Sequence, residues 1–501
     1  MGEPFYITTA ISYPNGPPHI GHAYEAIAAD AAARFQRQRG RDVRFQTGTD
    51  EHGLKMAQAA RGEGVEPRAF ADKMSRLFQH MCDTLNVSYD RFIRTSEADH
   101  YRASQAIWKA MEAKGDLYLD RYEGWYSVRD EAYYEEDELS LADDGSKLSP
   151  HGTPVEWTVE ESWFFRLSKY RQPLLDLYSA SPEFIRPESR RNEVVRFVEG
   201  GLKDLSISRT SFDWGVPVPG SEGHVMYVWL DALTNYITGL GYPDDTELWC
   251  RYWPADVHLI GKDVVRFHAV YWPAFLMSAG IALPRQVYGH GFLLSRGEKM
   301  SKSVGNVVDP MLLAERFGVD ALRYFLLREV TFGQDGSYSA EAIVNRANAE
   351  LANSFGNLAQ RTLSMVHKNL AGILPAPGEA SEDRQLLEQV RAAADGEVPE
   401  AFDRLAFSVG IESWLKAVFA CNAFVDTQAP WALRKTDPER MAAVLGTLVA
   451  AVRQLARAIA PIIPASADKL LTLIAAGEGG APIPQPTPLF PRLELEQEEA
   501  A

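Results

Sequence analysis

The first fifty residues change from a β-branched, aromatic segment to helical spacing of apolar positions. Residues 4–10 form the first segment, and the prolines and glycine of residues 14–18 end it before the helical pattern begins. Gly40 suits the position just after a helix, and Val43 and Phe45 alternate as in a second strand. A strand, a helix and a strand in this order predict a parallel sheet.

The same order of elements returns after residue 250. Residues 257–260 predict a strand, residues 263–279 a helix that ends at Gly280, and residues 286–294 another strand. Between the two α/β halves, residues 115–223 are rich in Tyr, Trp, Glu and Asp and contain turn signals. We interpret this stretch as a small inserted domain.

The last third of the chain has a different pattern. From about residue 340 to residue 473, Ala, Leu, Arg and Glu recur at helical spacing, which predicts an α-helical bundle. The prolines between residues 482 and 491 are too closely spaced for a helix or a strand, so an extended strap or disorder is expected there. The sequence shows no internal repeat.

Composition narrows the class of protein. With 501 residues, 46% of them hydrophobic and 24% charged, the chain can bury two or three ordinary cores. Cys82, Cys250 and Cys421 form no CxxC pair, which argues against a disulfide framework and favours a reducing compartment. No targeting signal is visible, and the longest apolar stretch, residues 441–452, is shorter than the about 20 residues that span a bilayer. We therefore expect a cytoplasmic protein that does not enter the membrane.

The charge balance limits nucleic-acid binding. The chain has 51 basic and 68 acidic residues, a net charge of −17, which disfavours indiscriminate binding to polyanions. Any contact with nucleic acid is therefore expected to be local and specific to shape.

A first motif lies where the proline-rich loop meets the first helix, at residues 19–22 (HIGH). A helix N-terminus offers backbone N–H groups and a partial positive charge, so it suits phosphate. Gly21 removes a side chain where a nucleotide must approach, and His19 and His22 can donate to phosphate oxygens. The alternative is a capping histidine with a chance neighbour.

A second motif, KMSKS at residues 299–303, follows the later strand and a turn at residues 295–298. Two lysines beside small hydroxyl residues can form a cationic clamp for a phosphate that is being transferred. The alternative is a solvated basic loop. The two motifs are expected to face one crevice at the carboxyl ends of the parallel strands.

Together the two motifs resemble the signatures of the class I aminoacyl-tRNA synthetases. The resemblance implies that an amino-acid carboxylate attacks the α-phosphorus of ATP, with Mg²⁺ present, to form an adenylate without a covalent enzyme intermediate. The catalytic residues that it implies are His19, His22, Lys299 and Lys302, which would stabilise phosphate charge in the transition state.

Four further stretches are similar in order and spacing to those of the methionyl-tRNA synthetases. They are residues 10–13, TGTDEHG at 47–53, YVWLDA at 227–232 and HLIGKDVVRFHAVYWP at 258–273. The resemblance covers nearly the whole chain. It implies activation of L-methionine and transfer to tRNA(Met), with release of AMP and pyrophosphate.

The resemblance also implies a methionine pocket. Its residues would be Ala10, Ile11, Tyr13, Trp229, Tyr236, Val264 and His268, with Asp50 pairing with the substrate ammonium. An apolar, aromatic pocket suits an unbranched, polarizable thioether. Ordinary core packing is the alternative for each aromatic residue.

For ATP the resemblance implies a second set of residues. They are His19, Gly21, His22, Glu25, Gly261, Lys262, Asp263, Leu293, Lys299, Ser301 and Lys302. The alternative role for Asp263 is an N-cap of its helix.

The helical bundle contains candidates for reading a tRNA anticodon. Asn357 and Arg361 are four residues apart and share a helix face, and Trp431 follows Pro430 on a predicted neighbouring helix. An amide, a guanidinium and a planar aromatic can hydrogen-bond and stack on splayed bases. The resemblance assigns these three residues to the CAU anticodon; without it, Trp431 would be a core residue and Arg361 a solvated one.

The chain departs from many members of the family in the inserted domain. Where relatives carry cysteine zinc knuckles, this chain has WYSVRD at residues 125–130, and Ser149 with His151 near the second ligand pair. These side chains suit zinc poorly because zinc prefers thiolate, so we expect no structural metal. The dimerisation module of some relatives is also missing, which predicts a monomer.

The predicted fold is α/β, a split Rossmann-type parallel-sheet domain with a connective insertion, followed by an α-helical bundle. The predicted boundaries are 1–114 and 224–294 for the catalytic halves, 115–223 for the insertion, 295–339 for the KMSKS and stem-contact region, 340–478 for the anticodon-binding domain and 479–501 for the tail.

Three alternatives remain at this stage. A synthetase for Val, Ile or Leu would resemble chains with a larger hydrolytic insertion. A nucleotidylyltransferase would not need the anticodon candidates, and a non-enzymatic tRNA-binding protein would not need both phosphate motifs.

Overall fold

The computed structural model describes residues 2–130, 132–142, 144–295, 298–299 and 308–495. The chain divides into two compact units. The first consists of Met1–Pro18, Gly40–Asp83 and Ser88–His290, and the second of His19–Arg39, Thr84–Val87 and Gly291–Ala501.

The strands are short except in the inserted region. They are β1 Pro4–Thr9, β2 Asp42–Thr49, β3 Arg91–Arg94, β4 Leu117–Ser127, β5 Ala132–Tyr134, β6 Ser140–Leu141, β7 Lys147–Leu148, β8 Glu156–Phe165, β9 Ile185–Arg186, β10 Leu205–Ser206, β11 Ser208–Arg209, β12 Val225–Met226, β13 Val257–Gly261, β14 Val287–His290, β15 Leu293–Ser295, β16 Glu298–Lys299 and β17 Gly336–Tyr338.

Helices occur along the whole chain and dominate its last third. They are α1 Ile20–Gln38, α2 Leu54–Glu63, α3 Pro67–Thr84, α4 Ala98–Ala113, α5 Arg171–Ala180, α6 Glu188–Glu199, α7 Val228–Thr238, α8 Glu247–Tyr252, α9 Trp272–Ala279, α10 Pro310–Phe317, α11 Val319–Glu329, α12 Ala340–Arg346, α13 Asn357–Asn369, α14 Ser381–Ala392, α15 Val398–Asp403, α16 Phe407–Gln428, α17 Pro430–Thr436, α18 Pro438–Ile459 and α19 Pro464–Ala475.

A six-stranded parallel sheet forms the core of the first unit. The strand order is β3-β2-β1-β13-β14-β9, and every neighbouring pair is parallel. The two α/β halves meet where β1 pairs with β13, with Ile7 opposite Val257. The predicted parallel sheet is confirmed, and it follows the rule that strand–helix–strand connections give parallel neighbours.

The predicted strand at residues 286–294 is divided in two, and this part of the prediction is wrong. β14 belongs to the parallel sheet, whereas β15 pairs with β16 and β17 in the second unit. The break occurs at Gly291, where an added Cβ would lie 2.1 Å from the Gln334 carbonyl oxygen. The close approach of a distant backbone therefore requires glycine there and interrupts the strand.

The predicted helix at residues 263–279 is also interrupted. Lys262–Val264 forms a 3₁₀ turn and Phe267–Tyr271 a π-helical turn before α9 begins. Pro273 has no N–H to donate to the carbonyl of Ala269, and the Tyr178 hydroxyl donates to that carbonyl instead, over 2.6 Å. Gly280 ends α9 in the left-handed conformation, with φ 72°, as predicted.

The inserted region contains an antiparallel sheet. Its strand order is β10-β8-β4-β5, and residues 117–126 of β4 pair with the whole of β8. Its polar and aromatic composition fits a sheet with one exposed face, on which Trp157 is 52% exposed.

The second unit becomes helical after β17, as predicted from residue 340. Trp414 of α16 is fully buried and donates to the carbonyl of Leu455 in α18 over 3.0 Å. Within the described residues, α18 alone is long and apolar enough to span a membrane, but 61% of that window is buried in the protein. Burial of this kind is typical of a core helix.

The proline-rich segment forms an extended strap on the helices of this unit. Ile483 is buried and donates from its backbone to the Gly372 carbonyl over 2.9 Å. Leu493 exchanges two hydrogen bonds of 2.8 Å with the Asn348 side chain. The predicted strap is thus confirmed as far as residue 495, and residues 496–501 lie outside the described residues.

Candidate active site

The first motif caps the N-terminus of α1 with two imidazoles. His19 Nδ1 accepts a hydrogen bond from Gly21 N over 3.1 Å, and His22 Nδ1 accepts one from His19 N over 3.1 Å. The ring centroids are 3.8 Å apart. A nitrogen that accepts carries no proton, so each neutral ring carries its proton on Nε2. His19 therefore caps α1, and His22 forms the second half of the same capping box.

Gly21 has a local reason to be glycine. A Cβ at this position would lie 2.9 Å from the His19 ring. The glycine thus allows the imidazole to fold back over the helix terminus, a reason that differs from the nucleotide approach predicted from the sequence.

The second motif begins beside α1 in the same unit. β16 pairs with β15, which places Lys299 opposite Leu294, and β15 contacts α1. After the undescribed residues the chain returns at Val308, whose carbonyl accepts from Ile20 N over 3.0 Å. Ser301 and Lys302 lie outside the described residues, and Lys299 is described only as backbone.

Glu25 and Leu293 are the other predicted ATP residues of this unit. Glu25 is half-buried on α1, and Leu293 is buried on β15. The elements that carry them are in contact, as described above for α1 and β15.

In the first unit, the predicted methionine residues follow the carboxyl ends of neighbouring strands. Ala10 N donates to the Leu259 carbonyl over 3.0 Å, which joins the segment after β1 to β13. Asp50 N donates to the Ser12 carbonyl over 2.9 Å, which joins the segments after β1 and β2. Ile11 is half-buried in the same segment, and Asp50 itself is buried.

Tyr13 is fixed against the segment that follows β2. Its hydroxyl donates to the His52 carbonyl over 3.0 Å, and Lys55 Nζ lies 5.5 Å from the ring centroid. The aromatic face of Tyr13 is therefore held at the strand ends, where ligands bind in open α/β sheets.

An aromatic and imidazole cluster joins α7 to the turns before α9. Tyr236 OH lies 2.6 Å from His268 Nε2, and His268 Nδ1 lies 2.9 Å from the Val264 carbonyl. The Trp229 ring is edge-on to His268 at 6.2 Å and stacks on Phe267 at 3.7 Å. Burial lowers the pKa of His268 to about 4, so the ring is neutral at physiological pH.

The sequence reasoning missed one residue of this cluster. The His258 ring stacks on Tyr236 with centroids 4.0 Å apart, and its Nδ1 lies 2.8 Å from Thr8 Oγ1. Burial holds the pKa of His258 well below its usual range. A histidine inside a buried strand was the available signal, but its partner Thr8 is 250 residues away.

Gly261, Lys262 and Asp263 follow the carboxyl end of β13. The N-cap position of this turn is Gly261, so the alternative role of Asp263 as N-cap is wrong. Instead the Asp263 carboxylate folds back, and a Cβ on Gly261 would lie 2.7 Å from its Oδ1. The glycine therefore makes room for that carboxylate.

Comparison with known proteins decides the family. A family model described as class I tRNA synthetases (M) matches residues 5–363, and one described as the anticodon binding domain of methionyl tRNA ligase matches residues 374–486. The chain belongs to the class I methionyl-tRNA synthetases. It is an enzyme, a methionine–tRNA ligase.

Full-length relatives agree with this synthetase family. A methionine–tRNA ligase of Brucella suis is 59% identical and that of Mycobacterium bovis 57% identical, with 98% and 99% of both chains covered, respectively. The solved structure of Mycobacterium tuberculosis methionyl-tRNA synthetase with methionyl-adenylate has a TM-score of 0.94 and 57% identity, covering 98% of this chain and 100% of that one.

The anticodon candidates of the synthetase lie together on the bundle. Arg361 Cζ lies 5.4 Å from the centroid of the Trp431 ring, which places α13 beside α17. Asn357, at the start of α13, and Arg361 are both exposed, and Trp431 is 48% exposed. Because Trp431 is exposed, the alternative of a core residue is wrong.

A hydrogen-bonded cluster joins residues 130, 134, 149 and 153 of the inserted region. The Oδ2 atom of Asp130 accepts from Ser149 Oγ and Thr153 Oγ1, each over 2.6 Å, and from Tyr134 OH over 3.0 Å. Burial raises the pKa of Asp130, but the hydrogen bonds from Ser149, Thr153 and Tyr134 outweigh it, so the pKa lies below its usual value. Hydroxyls and a carboxylate thus connect two turns of the inserted region.

Proposed function

We propose that the chain joins L-methionine to AMP and passes the methionyl group to tRNA(Met), with its residues in the roles given below. A carboxylate oxygen of methionine attacks the α-phosphorus of ATP, and the bond to the bridging oxygen breaks to release pyrophosphate. A terminal ribose hydroxyl of the tRNA then attacks the methionyl carbonyl carbon, and AMP leaves.

In this proposal His19 and His22 donate to phosphate oxygens, and Lys299 and Lys302 neutralise the charge that develops during transfer. The main support is the hydrogen bond from Ile20 N to the Val308 carbonyl, 3.0 Å long. The chain that follows residues 300–307 is thereby tied to the helix terminus that bears the imidazoles. The strand that precedes them, β16, pairs with β15, which contacts α1. The Nδ1 caps support the same role, because they leave the ring protons on Nε2.

Mg²⁺ is proposed to enter with ATP. Among the described residues no group of three or more His, Cys, Asp or Glu side chains could hold a metal ion. This fits Mg²⁺, which is commonly bound by one or two carboxylates together with substrate phosphates and water. The remaining proposed ATP contacts are Gly21, Glu25, Gly261, Lys262, Asp263, Leu293 and Ser301.

The methionine side chain is proposed to lie against the cluster of Trp229, Tyr236 and His268. A neutral, buried imidazole and two aromatic rings present an uncharged surface, which suits a thioether. Asp50 is proposed to take the substrate ammonium because it is a buried carboxylate at a strand end. Ala10, Ile11, Tyr13 and Val264 would complete the pocket.

Asn357, Arg361 and Trp431 are proposed to bind the CAU anticodon by hydrogen bonds and stacking. Their exposure and the contact of 5.4 Å between Arg361 and Trp431 support this role. A cytoplasmic monomer without structural zinc completes the proposal.

Pyrophosphate exchange with each of the twenty amino acids tests the reaction. We expect exchange with methionine alone and without any need for tRNA. Exchange that depends on valine or cysteine instead would contradict the proposed substrate.

Substitution of the second motif tests its role. Lys302→Ala is expected to lower the rate of exchange by about 100-fold or more, since it removes a charge that stabilises the transition state. The matched control is Lys73→Ala, an exposed lysine paired with Glu63 over 2.7 Å. It should leave exchange unchanged, and full activity of Lys302→Ala would contradict the proposal.

A further inference from the structure

A buried carboxylate in the first unit contacts two imidazoles and has no part in the mechanism above. Asp231 Oδ2 lies 2.7 Å from His52 Nδ1, and Asp231 Oδ1 lies 2.7 Å from His100 Nε2. The side chains of Asp231 and His100 are fully buried, and that of His52 is 1% exposed. The three residues lie on different elements, α7, the segment after β2, and α4.

The protons in this cluster can be assigned from its hydrogen bonds. Burial raises the pKa of Asp231, but the facing His52 and His100 outweigh it and lower the pKa to about 2, so the carboxylate only accepts. The Thr238 hydroxyl donates its one proton to the Thr234 carbonyl over 3.0 Å. Its oxygen also lies 3.0 Å from His100 Nδ1. His52 Nδ1 and His100 Nε2 therefore both donate to Asp231.

His52 completes the cluster on the other side. Its Nε2 lies 2.9 Å from Tyr101 OH, and the Trp214 ring packs edge-on to its imidazole at 5.2 Å. Trp214 Nε1 also donates to the Glu51 carbonyl over 2.6 Å. The segment that carries Asp50 is therefore held both by its backbone and by the His52 side chain.

Asp231 lies close in sequence to the proposed methionine residues of α7. On α7, Asp231 comes two residues after Trp229 and five before Tyr236. His52 comes two residues after Asp50, and its carbonyl accepts from Tyr13. One carboxylate thus connects the helix with the pocket aromatics to the segment with the ammonium-binding candidate.

We infer that Asp231, held by His52 and His100, is a positioning residue for methionine. It sets the distance between Asp50 and the Trp229–Tyr236 side of the pocket, so that the ammonium and the side chain of one methionine are bound together. This inference rests on the proposed function of the pocket residues. Displacement of a positioning group by about 1 Å can lower activity by about 100-fold, even without contact with the reacting atoms.

Asp231→Asn tests the inference in methionine-dependent pyrophosphate exchange. The amide keeps the shape, but its NH2 group faces one of two donating imidazoles, so one of the two hydrogen bonds is lost. We expect the KM for methionine to rise about tenfold or more and the KM for ATP to change by less than about twofold.

The matched control is Asp116→Asn. Asp116 is also a fully buried carboxylate of the first unit, and it accepts from Lys169, Tyr170 and Ser278 over 2.5 to 2.7 Å. A purely structural effect of removing a buried carboxylate would lower the melting temperature in both variants and leave both KM values unchanged. The inference requires the rise in KM for methionine to occur in Asp231→Asn alone.

A milder variant covers the case in which Asp231→Asn does not fold. Tyr101→Phe removes only the hydroxyl beside His52 and should raise the KM for methionine in the same direction by a smaller factor. An unchanged KM for methionine in whichever folded variant is measured overturns the inference. Absence of methionine-dependent exchange in the unaltered enzyme would instead contradict the proposed function.

Discussion

The Tyr236 hydroxyl donates to His268 Nε2 over 2.6 Å. This direction follows from the hydrogen bond that His268 makes through Nδ1. His268 Nδ1 faces the Val264 carbonyl, which only accepts, and burial lowers the pKa of His268 to about 4. A neutral ring with its proton on Nδ1 must accept at Nε2. The tyrosine proton is therefore directed toward the histidine and not toward the pocket.

Tyr236→Phe should leave His268 Nε2 buried without a donor. The cost of such an unsatisfied group is about 1–3 kcal/mol, so the free energy of unfolding should fall by that amount. Urea unfolding measures it. Tyr89→Phe is the control, because it removes an exposed hydrogen bond to Asp83 of 2.7 Å and should cost at most about 1 kcal/mol. Equal losses in the two variants would contradict this account of His268.

His268 should also make stability depend on pH. In the unfolded chain its pKa is near 6.5, whereas burial lowers the folded pKa to about 4. The stabilisation is present above pH 6.5 and is lost as the pH falls toward 4, because the unfolded state then binds a proton that the folded state excludes. The loss approaches about 3 kcal/mol.

Urea midpoints at pH 7, 6 and 5 measure this effect in the unaltered protein and in His268→Gln. The variant lacks the titrating ring, so its midpoint should fall less steeply over that range. Parallel curves for the two proteins would show that His268 does not contribute.

Arg323 should be among the most costly single substitutions in the second unit. It is fully buried and donates to Asp30 Oδ2 over 2.6 Å and to the carbonyls of Pro461 and Ile462 over 3.0 Å. Arg323→Met removes the guanidinium from these buried acceptors and should destabilise the unit by about 3–5 kcal/mol.

The exposed Arg39, which pairs with Asp403, is the control; Arg39→Ala should cost about 0–1 kcal/mol. Similar unfolding midpoints for the two variants would contradict the prediction that the buried Arg323 contributes more to stability than the exposed Arg39.

Asp130 should stabilise the turns of the inserted sheet only while it is ionised. Because its folded pKa is lowered, its contribution is present above its ordinary value of 3.8 and is lost as the pH falls through the folded value. Asp130→Asn should therefore increase amide hydrogen exchange at Ser149 and Thr153 at pH 7. Asp144→Asn, in an exposed turn, is the control and should leave these amides protected. Unchanged exchange at Ser149 in Asp130→Asn would contradict the prediction.

Local signals predicted much of the fold. Gly40 and Gly280 mark helix ends through their own backbone conformation, with φ 82° and 72°, so the sequence was sufficient there.

The division of the strand at Gly291 depends on the Gln334 backbone, which no local sequence pattern reveals. The His52–Asp231–His100 cluster was missed for the same reason, since its partners are 179 and 131 residues apart. Conversely, a shared role for Arg361 and Trp431 was predicted only through the resemblance, and their contact was not predicted.

Trp431→Ala should separate tRNA recognition from methionine activation. The residue is 48% exposed and lies beside Arg361 on a helix of the second unit, so its loss removes a stacking surface and leaves the methionine residues intact. Stacking of a base on an aromatic side chain contributes about 1–3 kcal/mol, so kcat/KM for tRNA(Met) in aminoacylation should fall by about 10- to 100-fold. Pyrophosphate exchange, which needs no anticodon, should be unchanged.

Phe419→Ala is the control for Trp431→Ala. It removes another aromatic side chain of the same unit, which is 52% exposed, and should leave both activities unchanged. Equal losses of aminoacylation in the two variants, or a loss of exchange in Trp431→Ala, would contradict the assignment of Trp431 to the anticodon.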